Sequence, residues 1–192
     1  MRPSGNVTDH RIMLQSGRLF DLANPDANEI EIDDIAHGLA HTCRFAGQCD
    51  GFYSVAEHSV LVSNVVKHAK LAALFHDAAE AFIGDMSKPL KLLLPQYAKI
   101  EKAIERSIFQ RFGIEWPAPA EVKAADYSVM AAEQRIMMPV GTNEWLIDAN
   151  VRPADVDINR LNPSDAKKLF LDRYAELLRS TCTVESLANR SH

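Results

Sequence analysis

The stretch Leu74-Phe75-His76-Asp77-Ala78-Ala79-Glu80, closing at Gly84-Asp85, restricts the fold more than any other. It lies in a segment, Ala69 to Ile83, that otherwise reads as a buried apolar helix. Ionisable groups taken out of water there are costly unless something compensates them. A metal ion is such a compensation. His76 and Asp77 are neighbours, about 100° apart around a helix, and Glu80 follows at i+4 and i+3, so an α-helix puts all three on one edge. Ala78 and Ala79 leave room for another helix to approach.

Around this stretch the pattern predicts a helical bundle. Ile12-Met13-Leu14 and Leu19-Phe20 flank Ser16-Gly17, the signature of a small hairpin. Asp33-Asp34 reads as an N-cap for a short helix with Ile35, Leu39 and Cys43 on one face. Ser54-Val55-Ala56-Glu57 has the form of a capping box, starting a helix with His58 in its first turn. Ser87-Lys88-Pro89 opens a brief turn through Leu94. Pro95 then begins a long helix to Phe112, in which Ile100, Ile104 and Ile108 recur every four residues before Gly113 stops it. Ala120 to Met138 is predicted to be helical, with Val122, Ala125, Val129, Ala132 and Ile136 inward and Pro139 ending it. Residues 140–160 read as an ordered loop, Asn162-Pro163 caps a last helix, and a flexible tail is expected from Ser180.

The 192 residues suit one domain over 1–192, with the hairpin region at 1–30 and the tail at 180–192. No apolar run approaches the roughly 20 residues of a membrane span and no signal-peptide core opens the chain, so a cytoplasmic protein is expected. Cys43, Cys49 and Cys182 lack a zinc-ribbon or disulfide-framework spacing. A rival zinc set of His37, His41, Cys43 and Cys49 matches no finger. A net charge of −5 gives no general attraction for nucleic-acid polymers, so an anionic ligand requires a local basic cluster.

Four candidate ligands stand on three predicted helices: His58, His76, Asp77 and Asp126. Two imidazoles and two carboxylates suit one divalent transition ion, whether cobalt, manganese, zinc, iron or nickel, and leave positions open for water and substrate. The order His58, His76-Asp77, Asp126 resembles the HD-domain metal-dependent phosphohydrolases. Phe52-Tyr53-Ser54-Val55-Ala56-Glu57-His58-Ser59, His76-Asp77-Ala78-Ala79-Glu80 and Gly84-Asp85 resemble its small nucleotidase branch, which holds 5′-deoxyribonucleotidases and phage deoxynucleoside triphosphate triphosphohydrolases. The likeness runs from about Ser16 to Glu133.

The resemblance implies an all-α HD-domain bundle with a small N-terminal β-hairpin. It implies His58, His76, Asp77 and Asp126 as metal ligands, Glu80 as acid/base, and Asp85 as the residue that orients the attacking water. Arg44-Phe45 resembles the pair that relatives set against phosphate and sugar; where close relatives often carry His after Arg-Phe-Ala-Gly, this chain has Gln48. Two-metal HD enzymes need further histidines between Asp77 and His192, and none is present, which favours one metal. Arg44, Lys88, Lys91 and Arg18 supply the local cluster for phosphate. Phe20 and Phe45 are the preferred base-stacking rings, ahead of Phe52 and Trp145.

The expected reaction is cleavage of the 5′-oxygen–phosphorus bond of a small deoxynucleotide. The surplus of basic residues leans toward a triphosphate, and the resemblance to the phage enzymes implies dATP in particular, giving deoxynucleoside and triphosphate. The alternatives are a 5′-deoxyribonucleotidase acting on monophosphates and, from another class, a non-catalytic nucleotide-binding regulatory module. Apolar Leu92-Leu93-Leu94 and the resemblance point to a homo-oligomer, a dimer or hexamer.

Overall fold

Strands β1 (Arg11–Met13) and β2 (Leu19–Asp21) pair antiparallel, Ile12 opposite Phe20. The Leu14 amide reaches the Arg18 carbonyl at 2.8 Å, and Gly17 turns the chain at φ +84°, where a side chain would be strained. This hairpin is the only sheet among the described residues, and helices make up the rest of the regular structure. The protein is seen here as a computed structural model that describes residues 9–141 and 149–188, with side chains to residue 180. Among these residues no helix is long and apolar enough to cross a membrane.

Helix α1 (Ile32–His41) begins after Glu31, with Asp33 and Asp34 inside its first turn rather than capping it. Acidic groups there still favour the positive helix end. The helix stops at His41, so Cys43 leaves its face and instead forms an isolated antiparallel bridge with Ser54.

The centre of the bundle is α2 (Val55–Val65), whose first nine residues are all buried. It packs against α1 and the helices α3 (Lys70–Phe75), α7 (Ala120–Met137) and α8 (Pro163–Ala188). Ser54 caps α2 by accepting from the Glu57 amide at 3.1 Å. The Glu57 carboxylate does not close the box. It accepts instead from the amides of Asn159, Arg160 and Leu161 at 2.7, 3.1 and 2.8 Å. That segment is irregular, so its amides lack helical or sheet partners and a buried carboxylate supplies them.

The single helix predicted over residues 69–83 is broken at the ionisable residues. After α3 the chain passes through a tight turn before α4 (Glu80–Ile83). The amides of Ala78, Glu80 and Ala81 donate three residues back, at 2.9, 2.9 and 3.2 Å. His76 Nδ1 lies 2.7 Å from the Ala73 carbonyl, the oxygen that the Asp77 amide would use in a continued α-helix. In this tighter winding residues three apart eclipse, which stacks Asp77 over Glu80.

Gly84, at φ +77°, ends α4 as expected, and α5 (Lys88–Leu93) leads into α6 (Pro95–Arg111). Ile104 and Ile108 are fully buried, but Ile100 is exposed, as is Ile136 near the end of α7, both against expectation. Each lies toward a helix end, where the stripe runs past the core. Helix α8 continues to Ala188.

Helix α1 approaches α4 closely because residue 38 is glycine. A Cβ there would fall on the Ala81 carbonyl and within 2.8 Å of Ala81 Cα. Gly38→Ala is therefore expected to destabilise the fold by about 1–3 kcal/mol, read as a lower denaturation midpoint with unchanged slope.

Candidate active site

His58 enters from α2, His76 and Asp77 from the broken turn, and Asp126 from α7, so four donors from three directions meet in one place. His58 is fully buried. Its Nδ1 lies 2.6 Å from Glu133 Oε1, and His76 Nδ1 faces the Ala73 carbonyl. Both partners are acceptors, so each ring donates its Nδ1 proton to them and turns Nε2 inward, where an ion would take the place of any proton there. The two Nε2 atoms stand 3.3 Å apart. His58 Nε2 is 3.2 Å from Asp126 Oδ1 and 3.7 Å from Asp77 Oδ2; His76 Nε2 is 3.2 Å from Asp77 Oδ2 and 3.8 Å from Asp126 Oδ1.

Two facing imidazole nitrogens beside two carboxylates call for positive charge among them, from a proton or a metal cation. Two ligands of one ion at about 2.1 Å sit a little over 3 Å apart, close to the spacing these atoms already have. Donor atoms of His58, His76 and Asp126 all fall within 4.8 Å of one another. The demand for positive charge also shows in the titration of the cluster. Burial opposes a charge on His76, yet Asp77 and Asp126 outweigh it and hold its pKa well above the histidine range. Burial likewise opposes ionisation of Asp77 and Asp126, and the two histidines overcome it. The donor set fits a divalent ion.

Residues around the donors fix their orientation. Lys123 Nζ holds Asp126 Oδ2 at 2.7 Å, leaving Oδ1 for the histidines. Glu133, fully buried, accepts from Tyr53 Oη at 2.7 Å and from Arg44 Nε at 3.3 Å besides His58. Arg44 Nη1 also reaches Asp77 Oδ2 at 3.3 Å. Arg44 is set here by a short backbone pairing, in which its amide donates to the Tyr53 carbonyl at 2.8 Å and the Val55 amide to Thr42 at 3.0 Å. Burial works against its charge, but Glu133 and Asp77 outweigh that and raise its pKa. Its guanidinium lies 5.4 Å from the Phe45 ring centre, within cation–π range.

A cleft of about 210 Å³ opens beside the donors, lined by His76, Asp77, Glu80, Lys91, Lys102 and the acids Glu101 and Glu105, among others. Glu80 is almost wholly buried, and among the described residues its Oε2 has no hydrogen-bond partner. Burial, then Asp77 and Asp85, push its pKa well above the carboxylate range. This is the condition of a carboxyl group that keeps a proton to give. Asp85 is half-buried just past Gly84. Lys91 contacts Glu101 at 2.5 Å and Glu80 at 3.6 Å.

Not every predicted residue joins the site. Phe20 is 1% exposed and stacked on Phe82 at 4.0 Å, so no ring face remains for a base. Its position on the inward face of a two-stranded hairpin makes it core. Arg18 pairs with Asp34 at 3.2 Å and Glu29 at 3.7 Å instead of facing the cleft. Lys88 is exposed at the start of α5 and is not among the residues lining the cleft. The rival His37, His41, Cys43, Cys49 set does not assemble as a metal cluster among the described residues. Trp145 lies outside them.

Sequence reasoning passed over Glu133, Tyr53, Lys123, Glu101 and Glu105 as site residues. Glu133 had a signal, being seven residues after Asp126 and so on the same face of a helix. Glu101 and Glu105 had a weaker one, an i,i+4 acidic pair beside the isoleucine stripe of α6.

Comparison with known proteins accords with this geometry. Residues 40–137 match the family described as 5′-deoxynucleotidase YfbR-like, a span that contains Arg44, all four donors, Glu80, Asp85 and Glu133. The uncharacterized protein YfdR of Escherichia coli K12 is 35% identical over 164 residues, covering 84% of this chain and 92% of that protein. An uncharacterized protein of Rhodobacter capsulatus is 42% identical over 184 residues, covering 86% of this chain and 94% of its own. The chain belongs to the YfbR-like 5′-deoxynucleotidase family, a family of HD-domain phosphohydrolases.

Proposed function

We propose that the protein hydrolyses deoxynucleoside 5′-monophosphates to deoxynucleoside and phosphate, with His58, His76, Asp77 and Asp126 holding one divalent transition ion. The observation that carries this reading is the pair of imidazole Nε2 atoms at 3.3 Å, with Asp126 and Asp77 oxygens each 3.2 Å from one of them, beside a cleft lined by the buried Glu80, whose Oε2 has no hydrogen-bond partner among the described residues. A divalent ion bound there makes a water nucleophilic near neutral pH and takes up negative charge from a phosphoryl group.

The chain's own residues supply the rest. A guanidinium has five N–H donors; Arg44 directs Nε and Nη1 to Glu133 and Asp77 and offers others to phosphate oxygen. Asp85 orients the attacking water. Glu80 protonates the sugar 5′-oxygen, which is a poor leaving group as an alkoxide. Phe45, half-buried under the Arg44 guanidinium, borders the sugar.

The charge of the cleft favours a monophosphate over the triphosphate to which the sequence leaned. Apart from the ion, with its ligand Asp77, and Arg44, which either reading uses at the phosphate attacked, the cleft offers Lys91 and Lys102 against Glu101 and Glu105, and Arg18 is occupied elsewhere. A triphosphate brings more negative charge than this lining can offset. Cleavage of dATP to deoxyadenosine and triphosphate is the second reading, favoured by Lys91 on the cleft wall and Lys88 on the same short helix. A regulatory module without turnover would have no need of a buried carboxyl group with an unpartnered oxygen, Glu80, beside the donor set. Leu92 and Leu93, 74% and 76% exposed on α5, support a homo-oligomer, which light scattering tests.

A chromatographic product assay on every dNMP and dNTP with Mn²⁺ or Co²⁺ tests the reaction. Nucleoside and phosphate from monophosphates, abolished by EDTA and restored by added metal, are expected. Nucleoside with intact tripolyphosphate from dATP would move the assignment to the second reading, and no turnover of any nucleotide would overturn both.

A further inference from the structure

We propose that Cys43 and Cys49 form a reversible dithiol–disulfide pair that displaces Arg44 when a hydroperoxide oxidises it. The consequence for turnover rests on the reading of Arg44 as a phosphate contact. The two Sγ atoms stand 3.9 Å apart across the segment that carries Arg44 and Phe45. Cys43 is partly exposed and Cys49 is buried. Both sit in a small apolar cluster with Tyr53 and Met137, apart from the main core, on which the Arg44 segment rests. A separate cleft of about 410 Å³, lined in part by Gln48, Cys49, Asp50 and Met137, gives small molecules a route to the buried sulfur.

The intervening backbone ties these sulfurs to Arg44. Cys43 is pinned by its bridge to Ser54, and the Cys49 thiol lies 3.6 Å from the Arg44 carbonyl and 3.5 Å from that of Gly51. Between them Phe45, Ala46 and Gly47 run consecutively at φ +55°, +51° and +74°. Side-chain-bearing residues rarely hold that conformation. A disulfide requires the sulfurs to close to about 2.05 Å. With Cys43 fixed by its bridge, the segment 44–49 must give, and the thiol proton that faces the Arg44 carbonyl is lost. Both changes loosen the 3.3 Å contacts of Arg44 with Asp77 and Glu133.

The chemistry balances without a further reactant. The Cys43 sulfur attacks the hydroperoxide, the O–O bond breaks, and a sulfenic acid and an alcohol (water, from hydrogen peroxide) result. The Cys49 sulfur then attacks the Cys43 sulfur, forming S–S and breaking S–O, and water leaves with the Cys49 proton. Two thiols have supplied the two electrons that reduced the O–O bond. Two low-molecular-weight thiols reverse the reaction: the first exchanges at Cys49, freeing the Cys43 thiol and leaving a mixed disulfide, and the second frees Cys49 and leaves as the small disulfide.

The test treats the full chain with hydrogen peroxide near stoichiometry and maps unreduced peptides by mass spectrometry, alongside steady-state kinetics on a deoxynucleoside monophosphate. The expected result is a Cys43–Cys49 cross-link, reversed by dithiothreitol. KM should rise about tenfold in the oxidised form, the scale of one weakened charged hydrogen bond, and return on reduction. Cys49→Ser should show neither change. Recovery of both residues as thiols or as separate sulfinic acids would overturn the pair, and a cross-link that leaves KM unchanged would overturn its link to Arg44. Because the cross-link is read by mass, a protein inactive on nucleotides still decides the pairing, while overturning the functional reading separately.

Discussion

Glu80→Gln is expected to lower kcat by about 10²- to 10⁴-fold, the usual worth of a positioned general acid, while leaving metal binding intact. Glutamine keeps the shape and polarity of the side chain but cannot deliver a proton to the leaving 5′-oxygen. The pH profile supplies an independent check. Burial, Asp77 and Asp85 raise the Glu80 pKa, so the protonated, active form persists above the ordinary carboxylate range. Activity that depends on this proton is present below the raised pKa and declines as pH rises through it. Wild type should show that descending limb and Glu80→Gln should lack it. An unchanged kcat with an unchanged profile would remove Glu80 from the acid role.

Glu133→Ala is expected to cost about 3–5 kcal/mol of stability, because it removes one of the two carboxylates, each 3.3 Å away, that compensate the buried Arg44. The same change removes the acceptors of His58 Nδ1 and Tyr53 Oη, so affinity for Co²⁺ should fall about 10- to 100-fold as His58 loses its fixed tautomer. Glu133→Gln separates the two effects. It keeps one carbonyl oxygen for His58 and Tyr53, and should retain more metal affinity than stability. Burial pushes the Glu133 pKa up, but Arg44 and His58 outweigh it and hold it below the usual glutamate value. A depressed carboxylate contributes stability above its unfolded pKa and loses it as pH falls through the folded one. Wild type should therefore lose stability in acid, and Glu133→Ala should lose less. Chemical denaturation between neutral pH and pH 4, with Co²⁺ titration by absorbance, measures both.

These two residues mark how far the sequence could be read. Glu80 was legible because a charge within an apolar run, three residues after His-Asp, has few explanations other than a site. Its helix was not. The pattern gave an unbroken α-helix, and only the His76 contact with the Ala73 carbonyl reveals why the winding tightens there. Glu133 was hidden for a different reason: its role is made by residues 75 and 80 positions away, His58 and Tyr53, and spacing within one helix cannot report such partners. Phe20 shows the converse error. An aromatic next to a turn looks available to a ligand until the packing of Phe82 against it is known. Helix existence, the hairpin, Gly84, Pro95 and Gly113 could be read because each depends on local backbone preference, whereas the Glu57 anchor for residues 159–161 depends on a contact made a hundred residues away.

The most direct test of the central claim is phosphate release from a deoxynucleoside monophosphate by chelator-stripped protein, measured as Co²⁺ is added back in known equivalents. A rate that starts near zero, rises in proportion to added ion and levels at about one ion per chain, the stoichiometry of a single four-donor site, is the predicted result. Asp77→Ala and Asp126→Ala should stay flat across the titration. Full activity in the stripped protein, or a plateau reached only at two ions per chain, would contradict a single-metal phosphohydrolase centred on His58, His76, Asp77 and Asp126.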